Sequence, residues 1–213
     1  MKEIEWDPFE LPNLPIYRTK LPENVMDYLW QRIDIAKEKN DSIAHKLAGN
    51  ISSSLTLEDN DEGFFVKTVL RPISKHIIDS NLPSFQSELH HSAPAVTLDM
   101  NWWVNFQKQY EFNPIHTHAG ILSFVIWMQI PTDFREQHKL PFCKGSNGPA
   151  ASDFQFTYSD ILGNMKTYPI FMDKKCEGHM FIFPAHLGHS VNPFYDCDDE
   201  RISIAGNILW NIA

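Results

Sequence analysis

The stretch Arg201–Asn211 (RISIAGNILWN) restricts the fold more than any other part of the chain. Side chains of an extended segment alternate between two faces. The odd positions here are Arg201, Ser203, Ala205, Asn207 and Asn211, with Leu209 the apolar exception, and the even positions are Ile202, Ile204, Gly206, Ile208 and Trp210. The same division recurs in 99–107, where Asn101, Trp103, Asn105 and Gln107 oppose Met100, Trp102, Val104 and Phe106. It recurs again in 121–130, where Ser123, Trp127 and Gln129 oppose Leu122, Phe124, Ile126, Met128 and Ile130. A sheet with one solvated side gives such an alternation. Trp103 and Trp127 are poor choices for open solvent, however, and an aromatic-and-amide lining suits a barrel interior that holds a polar ligand.

Further short apolar runs at 112–118, 153–158, 166–171 and 179–184, separated by Gly, Pro, Asp and Asn, complete a set of about seven strands. Ahead of them the periodicity is helical. Val25, Tyr28, Leu29, Ile33 and Ala36 predict a helix over 23–39, and Val66, Val69, Leu70, Ile73 and Ile77 a second over 62–80. Both stripes read as core packing. Residues 1–22, with Pro8, Pro12, Pro15 and Pro22, read as an extended lead-in, and 131–152 as a long loop of the kind that often forms a lid. Helices followed by strands indicate an α+β protein with a β-sandwich or jelly-roll barrel. No repeat or linker divides the 213 residues, so one domain is expected, with 1–96 as helical support and 97–213 as the β core.

A net charge of −9 argues against a sequence-independent grip on nucleic acid, which depends on Lys and Arg. The acidic, proline-rich N-terminus lacks the pattern of a signal peptide, and the apolar run around Ile121–Met128 is too short to cross a bilayer. Three cysteines without CxxC spacing fit reduced thiols, so a cytoplasmic protein is expected. A homodimer is the default oligomer.

Candidate metal ligands stand at both ends of the strand region. In an extended segment His116 and His118 of Asn113-Pro-Ile-His-Thr-His-Ala-Gly120 project to one face, so both imidazoles can reach one ion. Alone the pair is little above what ten histidines give by chance. It gains weight from Gly178-His-Met-Phe-Ile-Phe-Pro-Ala-His-Leu-Gly-His189, a strand, a proline turn and a histidine at a strand edge. Arg201 and Ser203 follow on a common face. A metal site near an Arg/Ser pair is what chelation of a dicarboxylate would need, one end on the ion and the other on the guanidinium fork.

The run Gln107-x-x-Glu-Phe-Asn-Pro-x-His-x-His-x-Gly-x-Leu-Ser123, the block at 178–189 with Pro193, and Arg201-Ile-Ser203-x-x-x-Asn207 resemble the bacterial and phage branch of the 2-oxoglutarate/Fe(II) oxygenases. The resemblance covers about 97–211. It implies a double-stranded β-helix core, iron at its mouth and 2-oxoglutarate beside it. Carried over by position, His116 and His189 match metal-ligating histidines, Arg201 the arginine that grips the distal carboxylate of 2-oxoglutarate, and Ser203 its hydroxyl helper. His118 stands where most of the superfamily has Asp or Glu, and Ser123-Phe-Val-Ile-Trp127 stands where a cofactor-assisting strand tyrosine is usual. Asn105, Trp127 and Asn207 are further candidates for the cofactor pocket. The implied reaction converts 2-oxoglutarate to succinate and CO2 and most often hydroxylates a second substrate, whose identity is open.

Two other readings stay open on the residues. A cupin-like enzyme with three histidines would use the metal without 2-oxoglutarate, and a non-catalytic interaction protein would retain only the barrel. Zinc as a structural ion is disfavoured because no Cys joins the histidines. His186 competes with His189 but lacks the following Ser-Val-Asn-Pro context. His90–His91 reads as a solvated pair, His179 as a satisfied core or edge histidine, and His45, His76 and His138 carry no pattern. Cys143 reads as inert.

Overall fold

The structure, a computed structural model, describes residues 16–85 and 97–211. In chain order the elements are β1 (Tyr17–Lys20), α1 (Glu23–Lys39), β2 (Ser53–Thr56), α2 (Arg71–Phe85), β3 (Thr97–Gln107), β4 (Asn113–His116), β5 (Leu122–Gln129), α3 (Phe134–Gln137), β6 (Phe154–Ser159), β7 (Met165–Ile170), β8 (His179–Pro184), β9 (Gly188–Val191) and β10 (Arg201–Asn211). Among the described residues, ten strands form two antiparallel sheets, ordered β1-β8-β5-β10-β3-β2 and β4-β9-β6-β7. They face each other as a jelly-roll, the architecture of a double-stranded β-helix, without closing into one continuous hydrogen-bonded barrel.

β10 occupies the middle of the larger sheet, paired along its full length with β3 and along most of it with β5. Its even face carries Ile202, Ile204 and Ile208. These pack with Trp102, Val104, Phe106, Phe124, Ile126 and Met128 of its neighbours into the main core, which the helices cover. Its odd face looks between the sheets, where Val125, Trp127, Phe181 and Phe183 meet Phe154 and Phe156 of the smaller sheet in a second core. The alternation read from the sequence therefore separates a helix-covered face from an inter-sheet face. The inter-sheet space is filled largely by aromatic rings rather than by an open chamber.

The helix predicted over 23–39 is α1, whose Val25, Leu29, Ile33 and Ala36 are buried. Glu23 in its first turn and Lys37 and Lys39 in its last complement the helix dipole, and Asn40 ends it in the left-handed region at φ 50°. The second helix begins at Phe64 rather than at 62. Its first turns are widened into a π-type segment, Val66–Leu70, closed by the Arg71 N–H on the Val66 carbonyl. Pro72 explains the widening, since its ring has no N–H to donate and crowds the carbonyl one α-turn back.

Three strands lie outside the runs expected from the sequence: β1, β2 and β9, the last at the strand edge read for His189. β1 lies within the predicted lead-in, whose residues 1–15 are outside the described residues, and it pairs with β8. β2 pairs with β3 through Ser53↔Phe106 to Thr56↔Trp103. The 131–152 loop contains only the short helix α3, capped by the Asp133 carboxylate on the Arg135 N–H. Among the described residues no helix is long and apolar enough to cross a membrane, and the three cysteines are free.

Gly206 lets β3 and β5 approach β10 closely. A Cβ there would stand 2.6 Å from the Phe124 ring and 2.7 Å from the Trp102 Cβ, closer than packed atoms come. Gly206→Ala is expected to destabilise the protein by about 1–3 kcal/mol through overpacking, read as a lower urea midpoint. An unchanged midpoint would mean that this junction is not tightly packed.

Candidate metal centre

His116 ends β4 and lies directly across from His189 on β9, the two being Cα partners in the antiparallel pair. The third ring comes from just beyond the strand. The His118 N–H donates to the Ala185 carbonyl at 2.9 Å, which turns the chain toward the end of β8. Gly120 then makes a bend only glycine tolerates easily, at φ 104° and with the Ile208 carbonyl 2.8 Å from where a Cβ would be. Ring centroids are 4.2 Å apart for His116–His189, 4.8 Å for His116–His118 and 5.0 Å for His118–His189. One ligand atom from each ring lies within 4.8 Å of the others, an arrangement that could hold a metal ion.

Two of the rings have fixed tautomers. His116 Nδ1–H donates to the Pro114 carbonyl at 2.8 Å and His189 Nδ1–H to the Leu187 carbonyl at 2.9 Å. A carbonyl oxygen can only accept, so Nδ1 carries the proton and Nε2 keeps its lone pair for an ion. Burial disfavours protonation of all three rings. It lowers His116, takes His118 to about 4 with help from the neighbouring His116 charge, and takes His189 to about 3. Trp103 lies 6.0 Å from His118 between ring centroids, and Phe183 4.9 Å from His189, so the second core forms one wall of the centre. On the outer side, Leu47, Ala48, Gly49 and Ile51 enclose a cavity of about 20 Å³ with Trp103, Asn105, Asn113, His116 and His118. That is room for about one water.

Arg201 points between the sheets and is 1% exposed. Its Nη2 donates to the Ser152 carbonyl at 2.7 Å and hydroxyl at 2.8 Å, and its Nη1 makes long contacts of 3.4 Å to Gln107 Oε1 and 3.5 Å to the Asn192 carbonyl. Burial pulls the guanidinium down to about 10, opposed by the Asp153 carboxylate. Ser203 pairs with Asn105 and Trp127 on the flanking strands. Asn105 accepts from the Ser54 hydroxyl at 2.8 Å, and Asn207 from the Ser123 hydroxyl at 2.8 Å. Trp127 Nε1 and Arg201 Nε are buried donors without a hydrogen-bond partner among the described residues.

The rival histidines separate cleanly. His186 is exposed. His179, expected to be satisfied, has a buried Nδ1 without a partner among the described residues, and His90 and His91 lie outside the described residues. Glu111 does not supply the absent carboxylate, since its oxygens accept the Ser52 and Lys108 N–H groups. His138, which showed no pattern, is 3.1 Å from both oxygens of the buried Asp153. Burial raises that carboxyl to about 6, against the pull of His138. Asn113, Ser152 and Asp153 were not singled out. Only Asn113 had a signal, its place at the head of the His-x-His segment.

The family model described as "Putative 2OG-Fe(II) oxygenase" matches residues 101–207, half of the chain, and the chain belongs to that family. Membership implies an oxidoreductase that uses iron(II) and 2-oxoglutarate. A prolyl-4-hydroxylase from Pseudomonas putida has a similar structure, with a TM-score of 0.53 at 12% identity over 92% of this chain and 92% of that one. At that identity the likeness concerns the fold. An oxidoreductase of the 2OG-Fe(II) oxygenase family from Burkholderia pseudomallei matches with a TM-score of 0.46 at 12% identity, over 92% and 86% of the two chains. A comparison with curated protein sequences finds no match.

The lowered histidines set the pH dependence of the metal-free protein. Unfolded, they take up protons below 6.5; folded, His118 and His189 stay neutral down to about 4 and 3. Their stabilising contribution is thus complete above 6.5 and is lost as the pH falls toward those values. Asp153 acts in the opposite sense, because a carboxyl raised from 3.8 to about 6 holds its proton more tightly when folded. The histidines outnumber it, so the melting temperature of metal-free protein is expected to fall between pH 7.5 and pH 5. A flat profile would mean that the rings remain solvated.

Proposed function

We propose that the chain is a 2-oxoglutarate-dependent hydroxylase whose iron(II) is held by His116, His118 and His189. The single observation that carries this reading is the convergence of three neutral imidazoles within 4.8 Å, two with their tautomers fixed by backbone carbonyls. Three nitrogen donors on one side of an ion leave positions open opposite them, as oxygen-using iron sites require. When bound, iron(II) and 2-oxoglutarate supply oxidative decarboxylation of the keto acid by O2 to succinate and CO2, with the second oxygen atom inserted into a C–H bond of the substrate.

The residues around the centre fit the keto acid chemically. Trp127 Nε1 and Arg201 Nε are buried donors in need of acceptors, and the long Nη1 contacts of Arg201 are weak enough to exchange for a carboxylate. Ser203 and Asn105 lie on adjacent strands between that end and the histidines. The volume does not yet suffice, because the cavity beside the triad holds about one water. Admission of a five-carbon dicarboxylate therefore requires the outer wall, Leu47 to Ile51, to move aside. The aromatic packing behind the histidines keeps bulk water from the reacting face.

Purified protein supplied with iron(II), ascorbate and 2-oxoglutarate is expected to release succinate, and His189→Ala to abolish both iron retention and turnover. Arg201→Lys keeps the buried charge but loses the planar fork, and is expected to raise the KM for 2-oxoglutarate about tenfold or more. An unchanged KM in Arg201→Lys would remove Arg201 from the cofactor site. Iron binding without any 2-oxoglutarate consumption would favour the three-histidine enzyme that does not use the keto acid.

A further inference from the structure

We infer that His138 and Asp153 act together as a positioning pair for Arg201, taking up one proton from solvent when 2-oxoglutarate binds there. The inference rests on the assignment of Arg201 to the keto acid proposed above. Asp153 is fully buried and immediately precedes β6. Its neighbour Ser152 holds Arg201 Nη2 with both carbonyl and hydroxyl. His138 Nε2 stands 3.1 Å from each oxygen of the Asp153 carboxylate. The imidazole follows the last turn of α3 and lies against the rings of Phe134 and Phe171, with centroids 5.6 and 5.8 Å away. Its side chain keeps 16% exposure while that of Asp153 has none, so His138 is the member of the pair that meets solvent.

The charges around the pair define what it does. His138, beyond α3, and Arg201 on β10 both act on the Asp153 carboxyl, and the Cys176 thiol beyond β7 acts on Arg201. Arg135 on α3 is paired with Asp133 and Asp173, and Lys139 with Glu136. Burial raises the Asp153 carboxyl only to about 6, because His138 and Arg201 pull the other way. It is therefore ionised at pH 7.5, and the pair has room for a proton. A carboxylate delivered to Arg201 sets a second buried anion against the same cation, and at low permittivity that excess is costly. A proton from water, entering at His138 and held in the contact between Nε2 and the carboxylate, restores neutrality. The complex then holds one proton more than the free protein. Affinity for 2-oxoglutarate rises as the pH falls from 8.5, and it levels off below about 6, where the free protein already carries the proton.

Calorimetric titration of the iron(II)-loaded full-length chain with 2-oxoglutarate, without oxygen and in two buffers of different ionisation enthalpy, reads the proton directly and needs no turnover. The unaltered chain is expected to take up close to one proton per keto acid at pH 7.5, and to lose affinity by up to about tenfold per pH unit above it. Asp153→Asn removes the anion. Its uptake is expected to vanish, and its affinity at pH 8.5 to exceed that of the unaltered chain by about tenfold or more. Packing damage only weakens binding, so this gain separates the charge from a structural role. His138→Phe keeps an aromatic ring beside Phe134 and Phe171 but removes the pull on the carboxyl, and is expected to move the fall in affinity to higher pH. That variant carries the test if Asp153→Asn does not fold. The inference is overturned if 2-oxoglutarate binds the unaltered chain without proton uptake, or if either variant keeps the original pH dependence. A chain that retains iron but binds no 2-oxoglutarate overturns the cofactor reading itself, and the role of the pair with it.

Discussion

A guanidinium sealed between two sheets is the constraint around which much of this structure is arranged. Arg201 is 1% exposed, and an unpaired charge at such a position would unfold a domain of ordinary stability. Its acceptors come from both sheets. Gln107 lies at the end of β3, while Ser152 leads into β6 and Asn192 follows β9. Ser152 reaches the guanidinium twice, from a left-handed backbone conformation at φ 73° that costs energy for a residue with a Cβ. The Ser152 N–H bonds to the Pro193 carbonyl at 2.8 Å, and the Asn192 N–H to the Asp153 carbonyl at 2.9 Å. The two loops are therefore stitched to each other as well as to the cation. Asp153 stands behind them and opposes the lowering that burial imposes on the Arg201 guanidinium.

This network also governs where the histidines sit. β9 is only four residues long and runs from Gly188 to Val191, so His189 and Asn192 are separated by three positions on one nearly rigid segment. Donation of the Asn192 N–H and side-chain amide to the Asp153 carbonyl fixes the height of His189, and cross-strand pairing then fixes His116. The aromatic rings of Trp127, Phe154, Phe156 and Phe183 fill the space in between. Polar anchoring at one end and dense packing in the middle hold the triad without a covalent tie. Such support is what a site needs if its rings are to keep their orientation before an ion arrives.

Much of this was legible from periodicity and little from composition. α1 matched its predicted bounds because Val25, Leu29, Ile33 and Ala36 form an uninterrupted stripe. β3, β5 and β10 were read with their correct faces because period-two alternation over eight to eleven residues leaves one register that buries the apolar side. β2 escaped notice since Ser53-Ser-Leu-Thr56 is too short and polar to alternate visibly, and it exists through its pairing with β3. Parity placed His116 and His118 together, yet it could not supply the register that sets His116 against His189. His138 and Asp153 come from irregular segments fifteen residues apart, where no periodic rule applies. The interior was expected to be wetter than it is. Trp103 and Trp127 do face inward, but they help to fill the space rather than line an open chamber.

With His118 as a metal ligand, as proposed, the centre lacks a carboxylate, and its electrostatics then bear on the buried Arg201. On the proposed assignment, three neutral imidazoles leave a divalent ion with its full charge, where a carboxylate would cancel part of it. Arg201 adds a second cation to the same inter-sheet space. Asp153, raised to about 6 by burial, is the acidic group identified beside that cation, and it is shared with His138. A dianion with one carboxylate toward each cation neutralises both ends at once, and in a medium of low permittivity that attraction is far stronger than it would be in water. A monoanionic or neutral ligand leaves one cation uncompensated. On the proposed assignment, the absence of a carboxylate at residue 118 would raise the preference for a dicarboxylate over other small chelators and would make occupancy of the metal and of the cofactor mutually dependent.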